Sequence, residues 1–318
     1  MVPGRAEIIM VDSVLARARQ PLWHGPLTGG RLDTTLRTSG IDSFKEKVVR
    51  RTALVAWSFL LFSIGARAQE QNDAASLARK AQNPVADMIS LPFQLNWNFD
   101  TGPLEKDQEI LNIQPVLPIR LNDDWNLVTR TIMPLISQPP YNSSQDRVGG
   151  MGDINFTAFF SPRKPTSGGW IWGLGPAIIM DTATNDRLGQ GAWSVGPSAV
   201  FLKMPGAWVI GGLVSNVWSV SEEEGRPDVN QLLFQPFINY NFPDTPGRYL
   251  SFSPILTANW EADSGQKWTV PLGLAMGQVM KLGKQPVNLQ LGAFYNVVRP
   301  DFASRWQIRF QFTLMFPK

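Results

Sequence analysis

The sequence predicts an all-β fold: an antiparallel transmembrane β-barrel of about twelve strands over residues 88–318, with both termini periplasmic. Three observations predict it. From Ile89 onward apolar and polar residues alternate with period two, in run after run. The runs are roughly 10–13 residues long, the length a tilted membrane strand needs. The ten tryptophans beyond residue 68 fall at or near the ends of these runs, where amphipathic rings meet the two membrane–water interfaces.

The first element in order is a leader. Lys45, Lys47, Arg50 and Arg51 form a basic segment, residues 53–64 an apolar one, and Ala66-Arg67-Ala68 has the small-x-small form of a secretory cleavage site. Residues 45–68 therefore read as a signal peptide cleaved near Ala68, which directs the chain to the outer membrane of a Gram-negative bacterium. Residues 1–44 read as a disordered start-site extension outside the fold, because a signal peptide normally begins close to its basic segment. Residues 1–68 hold 10 of the 29 Lys and Arg and 5 of the 26 Asp and Glu. The remainder carries 19 basic and 21 acidic side chains, a net charge of −2. The basic isoelectric point belongs to the leader and gives no reason to expect a nucleic-acid partner.

Residues 69–87 are polar, with a short helix expected over 74–81 capped by Asp73. They read as a periplasmic N-terminal arm or a small plug. The first strand sets Ile89, Leu91, Phe93, Leu95, Trp97 and Phe99 against Ser90, Pro92, Gln94, Asn96 and Asn98. Such a strand has one apolar and one polar face; in a membrane barrel the apolar face meets lipid and the polar face lines the lumen. Strand two has Leu111, Ile113, Leu117 and Ile119 against Asn112, Gln114 and Arg120; strand three spans 125–136; strand four has Ile154, Phe156, Ala158 and Phe160. Strand five has Trp170, Trp172, Leu174, Ile178 and Met180. Strands six and seven, near 191–202 and 207–219, are blurred by glycine. Strands eight to eleven are carried by Leu232 to Phe242, Leu250 to Trp260, Trp268 to Met276 and Val287 to Tyr295. The last alternates from Trp306 to Phe316 and ends on an aromatic, the form of terminal signal that the β-barrel insertion machinery recognises.

An even strand count suits a single-chain barrel with both ends in the periplasm. Outer loops are expected near 100–108, 137–152, 181–190, 220–229, 261–266 and 299–304, and inner turns at 121–124, 162–168, 203–207, 243–248 and 279–286. Gly149-Gly150-Met151-Gly152-Asp153 enters a strand rather than a helix, so it reads as a bulge with Asp153 capping the rim, and not as a phosphate loop.

Catalytic chemistry has few candidates. The only histidine, His24, lies ahead of the signal peptide, so a serine–histidine nucleophile of the kind a phospholipase-like barrel needs is excluded. There is no cysteine, which excludes disulfides and thiolate chemistry. The acidic run at 222–228 reads as solvated charge rather than a cation site. No catalytic residue, cofactor or metal is expected, and the chain is not expected to be an enzyme.

The lumen face is amide-rich and poor in charge. Arg120, Arg130 and Arg309 are its main charges, and Asn96, Gln114, Asn155 and Gln290 are representative amides. One reading is a pathway for small neutral or weakly anionic solutes, with Arg130 and Arg309 as mid-barrel selectivity contacts. The other is a closed interior filled by hydrogen-bonded amides and arginines. A 12-stranded barrel is intermediate in width and accommodates either.

Residues 80–318 resemble a bacterial family of outer-membrane transporters associated with the MetA pathway of phenol degradation, some members of which carry the label neuromedin U. The resemblance rests on Asn83-Pro84-Val85-Ala86, on Leu91-Pro92-Phe93-Gln94 with Asn96 and Asn98, on Ile113-Gln114-Pro115, and on Gly150-Met151-Gly152-Asp153 before an aromatic strand. It implies a porin-like barrel passing small, aromatic or hydrophobic compounds, and carries over no catalytic residue. The expected function is thus an outer-membrane channel or transporter for small solutes, in contact with outer-membrane lipids and lipopolysaccharide. The alternative is a closed structural or surface-interaction barrel acting through its outer loops.

Overall fold

A strand that alternates apolar and polar residues can bury its polar face only by curling the sheet on itself. The structure, a computed structural model describing residues 68–222 and 227–317, shows that solution. The strands are β1 (Met88–Thr101), β2 (Lys106–Ile113 and Val116–Arg120), β3 (Trp125–Gln138), β4 (Val148–Met151 and Ile154–Pro162), β5 (Trp170–Met180) and β6 (Ala192–Lys203). They continue as β7 (Trp208–Glu222), β8 (Asn230–Asn241), β9 (Arg248–Phe252 and Leu256–Asn259), β10 (Trp268–Leu282), β11 (Gln285–Val298) and β12 (Trp306–Pro317). Each pairs antiparallel with the next, and β1 closes the ring on β12 from Met88↔Pro317 to Phe99↔Trp306. The all-β barrel of twelve antiparallel strands expected from the alternation is the observed fold.

Closure is required by the solvent. A backbone N–H or C=O left unpaired in hydrocarbon costs several kcal/mol, so a spanning sheet can have no free edge. Where β2 is interrupted at Gln114-Pro115, Gln114 N–H bonds the Pro92 carbonyl (2.9 Å) and Thr131 N–H bonds that of Pro115 (3.1 Å), so the ladder holds across a residue that has no N–H to donate.

β1 begins and β12 ends at the same end of the ring, called here the terminal end; its turns are short. The opposite, loop end carries the long connections 139–147 and 181–191. Two expected connections are tighter than anticipated. β10 and β11 run on to a two-residue turn at Gly283 and Lys284 instead of a loop over 279–286, and β2 begins at Lys106, leaving only 102–105 as the first loop. Gly283 has φ 62°, a left-handed conformation that glycine adopts at little cost.

Tryptophans mark both ends of the outer wall. Trp125, Trp170 and Trp208 are exposed toward the terminal end, and Trp193, Trp218, Trp260 and Trp306 toward the loop end. Several interlock: Trp125 with Trp172 edge-on at 5.8 Å, Trp260 with Trp268 at 5.4 Å, and Trp306 with Tyr295 at 4.6 Å. Between the belts the exposed side chains are apolar, among them Leu174, Phe201, Leu274 and Met276.

The expected helix exists but is longer than its polar sequence suggested. It spans Ala68–Ala81 (α1), so Asp73 lies inside it and not at its cap. Its carboxylate lies 3.5 Å from the Lys281 ammonium. Arg79 and Lys80 in the last turn suit the negative end of the helix dipole. From Asn72 on, the helix belongs to the same compact unit as the barrel. Asn83 and Pro84 end it: the Asn83 Oδ1 accepts the Val85 N–H at 3.0 Å, and the turn feeds directly into β1. Residues 1–67, which hold the expected extension and all of the signal peptide but Ala68, lie outside the described residues.

Inward-facing aromatic rings recur opposite glycines. Phe237 pairs directly with Gly211, Tyr249 with Gly277 and Phe294 with Gly273. A methyl group added to any of these glycines would overlap the partner ring or the strand behind it. The rings therefore lie against the wall instead of filling the lumen. Replacing Gly277 by Val should displace Tyr249 and cost about 1–3 kcal/mol of barrel stability by overpacking, read as a lower urea midpoint of unfolding in detergent micelles; an unchanged midpoint would show that the ring has room to move.

Candidate functional site: a lumen chamber between plug and loops

The lumen is divided in depth. At the terminal end, α1 from Asn72 on and the segment after it pack against the inside of the ring. Leu77 and Ala78 of α1 are buried with Ala86, Met88, Tyr249, Val279 and Met315, while Val85 joins a second cluster on the other side. That second cluster contains Val128, Phe159, Val200, Leu202, Val209, Leu213 and Phe237. The amide-rich lumen expected from alternation is thus only part of the interior. From β3 to β8 many inward positions near the terminal end are apolar, and they form a cluster with Val85 of the segment in the mouth, with Asn126, Ser161 and Asn239 as polar exceptions. Polar contacts lock the segment: the Arg79 guanidinium donates to the Met204 carbonyl (2.8 Å) and to that of Gly206, and Gln82 and Asn241 exchange side-chain amide bonds at 2.8 and 3.1 Å. Residues 72–87, called here the plug, thus pack against the inside of the terminal mouth. The Asn83-Pro84-Val85-Ala86 motif forms the turn that seats it.

At the loop end the loop over 181–191 bends inward. Asp153, in the break within β4, accepts the backbone N–H groups of Thr182 (3.2 Å), Ala183 (3.1 Å) and Gln190 (2.5 Å). Leu188 is buried against the inward-facing Ile110 and Ile136. Gly150 and Gly152 supply the clearance, since a Cβ on either would strike this loop. The glycine-rich entry to β4 is the rim feature expected of it, with Asp153 as its cap. Arg187 then ties the loop to its neighbour, donating to the carbonyls of Asp146 (2.9 Å) and Pro139 (2.8 Å) and lying 5.3 Å from the Tyr141 ring.

Between plug and loop lies a chamber of about 180 Å³. Its floor is made by residues 80–84, Ala86 and Met88. The wall brings together four of the seven lumen candidates: Gln114, Arg130, Gln290 and Arg309. Arg130 donates to Gln114 Oε1 at 2.7 Å. Arg309, 4% exposed, donates to the Ser253 carbonyl (3.2 Å) and to Gln307 Oε1 (3.0 Å), with its guanidinium 4.5 Å from the Phe294 ring centre. Such a cation–π contact contributes about 0.5–2 kcal/mol, more as it is desolvated. Asn96 is buried and accepts from Gln94 Nε2 (3.2 Å), but neither it nor Asn155 lines the chamber. Arg120 lies apart: it is exposed at the terminal rim, ion-paired with Asp123, because it ends β2 where the turn begins. The acidic run centred on Glu223 and Glu224 falls mostly outside the described residues.

A chain of side-chain amides rises from the chamber toward the loops. Arg309 donates to Gln307, Gln307 to Asn98 (2.9 Å), Asn98 to Gln108 (2.8 Å), Gln108 to Gln138 (2.5 Å), and Gln138 to the Tyr141 hydroxyl (2.7 Å). It crosses β12, β1, β2 and β3, so each strand supplies the partner that its neighbour needs. Sequence reasoning did not single out Tyr249 or Phe294. Alternation puts Phe294 on the lumen face beside Asn296, and Tyr249 precedes the residue taken as the start of its strand. The Tyr249 hydroxyl meets Asn288 Oδ1 at 3.1 Å, and it can do so because Gly277 leaves the ring space to lie across β10.

No protein-family model matches the chain, and no curated protein does. Among solved structures it is similar to the COG4313 outer membrane channel from Pseudomonas putida F1, with 16% identity and a TM-score of 0.53 over 72% of this chain and 94% of that one. The fold is that of a bacterial outer-membrane barrel. It is also similar to the NanC porin (7% identity, TM-score 0.48, 72% of this chain and 100% of that one) and to the CymD monoaromatic hydrocarbon channel (9%, 0.42, 80% and 95%). At these identities the likeness concerns architecture alone.

Leucine at position 108 would leave the amides of Asn98 and Gln138 without their common partner. Gln108→Leu should cost about 1–3 kcal/mol. In a double-mutant cycle with Asn98→Leu, the double variant should lose less than the sum of the two single losses, as expected for side chains in one network; full additivity in the unfolding midpoints would dissolve the chain into independent contacts.

Proposed function

We propose that this protein is an outer-membrane channel for small solutes, closed at its terminal end by a removable segment. The observation that carries the reading is the chamber itself: a polar, cation-bearing space left open beside the packed terminal end of the barrel. A barrel with only a structural role gains nothing from holding two arginines around unfilled volume. The fold likeness to the COG4313 outer membrane channel supports the reading, as does the sequence resemblance to transporters associated with phenol degradation. In this reading the terminal end faces the periplasm, the leader is removed near Ala68, and the outer wall contacts lipid and lipopolysaccharide. The solutes are small and carry an aromatic or hydrophobic part. We propose no catalytic role, because residues 69–318 contain no histidine to activate a hydroxyl.

The second reading, a closed barrel acting through its outer loops, is favoured by one observation: the plug α1 in the terminal mouth. The two readings differ in whether that plug leaves. The helix itself makes little apolar contact with the wall, centred on Leu77 and Ala78, and its polar ties are hydrogen bonds and the exposed Asp73–Lys281 ion pair, which water can replace; Val85, after the helix, packs into the wall cluster. Single-channel recording in planar bilayers decides. A channel should pass steady unit currents, with ion selectivity that shifts when Arg130 and Arg309 become Ala. Leu77→Asp should raise the open fraction by placing an unpaired charge in the apolar contact of the plug. A folded barrel that is silent both as wild type and as Leu77→Asp would establish the closed reading.

A further inference from the structure

The chamber holds charge that no protein group balances. Arg130 and Arg309 stand in its wall and Lys80 at its floor, and no aspartate or glutamate lines it. The partners of Arg309 are all neutral, and its Nε, buried from solvent, has no hydrogen-bond partner. Arg130 likewise donates to the neutral Gln114. Among the described residues neither guanidinium forms an ion pair, whereas arginines at the rims do: Arg120 with Asp123, and Arg305 with Asp100 and Glu105 at 3.9 Å. A buried cation without a counter-ion is strongly unfavourable, and two around one chamber add their repulsion. An anion that enters the chamber relieves both.

The rest of the lining limits what that anion can be. Across the ring from β12, Leu213 of β7 and Phe237 of β8 present apolar surface, joined by Val116 and Met88. A hydrated inorganic ion would leave this surface unused. The space of about 180 Å³ compares with the ~150 Å³ in which an apolar protein cavity takes up one benzene ring. We propose that the chamber is a binding site for a small monocarboxylate bearing a single apolar ring, its carboxylate toward Arg309 and Arg130 and its ring against Leu213 and Phe237. The inference rests on the channel reading only for the route by which the ligand arrives; binding itself requires no current.

Isothermal titration of the folded full-length protein in detergent tests it with three probes. Sodium benzoate has the ring and the charge, benzyl alcohol the ring alone, and acetate the charge alone. Benzoate should bind one to one, about tenfold or more tighter than either of the others, the ratio expected when a charge-assisted hydrogen bond or the ring contact is removed. Arg309→Gln should lower benzoate affinity by about the same factor and leave benzyl alcohol unchanged. Arg163→Gln, in an exposed turn at the terminal rim, should alter neither. Benzyl alcohol binding as tightly as benzoate would overturn the anionic site, and acetate binding as tightly would overturn the ring contact. Benzoate affinity indifferent to both Arg309→Gln and Arg130→Gln would overturn the location. Should an arginine variant fail to fold, the three-probe comparison on the wild type still decides. Binding without current would sink the channel reading and leave this site standing; current without benzoate binding would do the reverse.

Discussion

The pairing of β1 with β12 is the constraint on which the rest of this molecule depends. Until those two strands meet, every inward residue is a residue on one face of an open sheet, with two rows of backbone groups facing hydrocarbon. Once they meet in the register Met88↔Pro317 to Phe99↔Trp306, the polar face becomes an enclosed space. A slip of one residue would turn Gln94, Asn96 and Asn98 outward to lipid and Leu95 and Trp97 inward. Closure also brings Asn98 beside Gln307, the one link of the amide chain that joins the two ends of the barrel sequence.

The enclosed space is then shaped by two opposite devices. Where the interior is filled, at the terminal end, it is filled as a soluble core is, with Val128, Val200, Leu202 and Val209 buried almost completely around the plug. Where it is kept open, the wall is polished flat. Phe294 lies across its paired Gly273, and amides such as Asn98, Gln108 and Gln138 bond one another along the wall. An amide satisfied by its cross-strand neighbour has no need of a partner across the lumen. The arginines of the chamber differ in their charge. Their hydrogen-bonding groups are only partly engaged and their charge is not matched, and they stand at the depth where the filled and open regions meet.

Much of the barrel was legible because membrane strands obey a period that any pair of adjacent residues reveals. Twelve strands, the faces of most of them and the tryptophan belts follow from alternation and from the preference of indole rings for an interface. Four of the seven lumen candidates meet in one chamber because alternation assigns the face correctly. Alternation is silent on depth, however, and so Arg120 was grouped with Arg130 and Arg309 although it ends its strand at the rim. It is equally silent on apolar residues that face inward: Phe159, Leu202 and Phe237 stand at lumen positions, and only the plug packed against them explains why they are not polar.

By itself, then, the sequence determined the class of fold, the approximate number of strands and the faces of those strands that alternate cleanly, because these depend on neighbours along the chain and on the contrast between lipid and water. The tertiary structure alone decided where the helix goes, how far the loops bend inward, and whether the amides close the lumen or line it. Those outcomes depend on contacts between residues more than a hundred positions apart, such as Arg79 with Met204 and Gln82 with Asn241. No local pattern records such pairs, since a polar helix ahead of a barrel reads the same whether it hangs in solvent or fills the mouth.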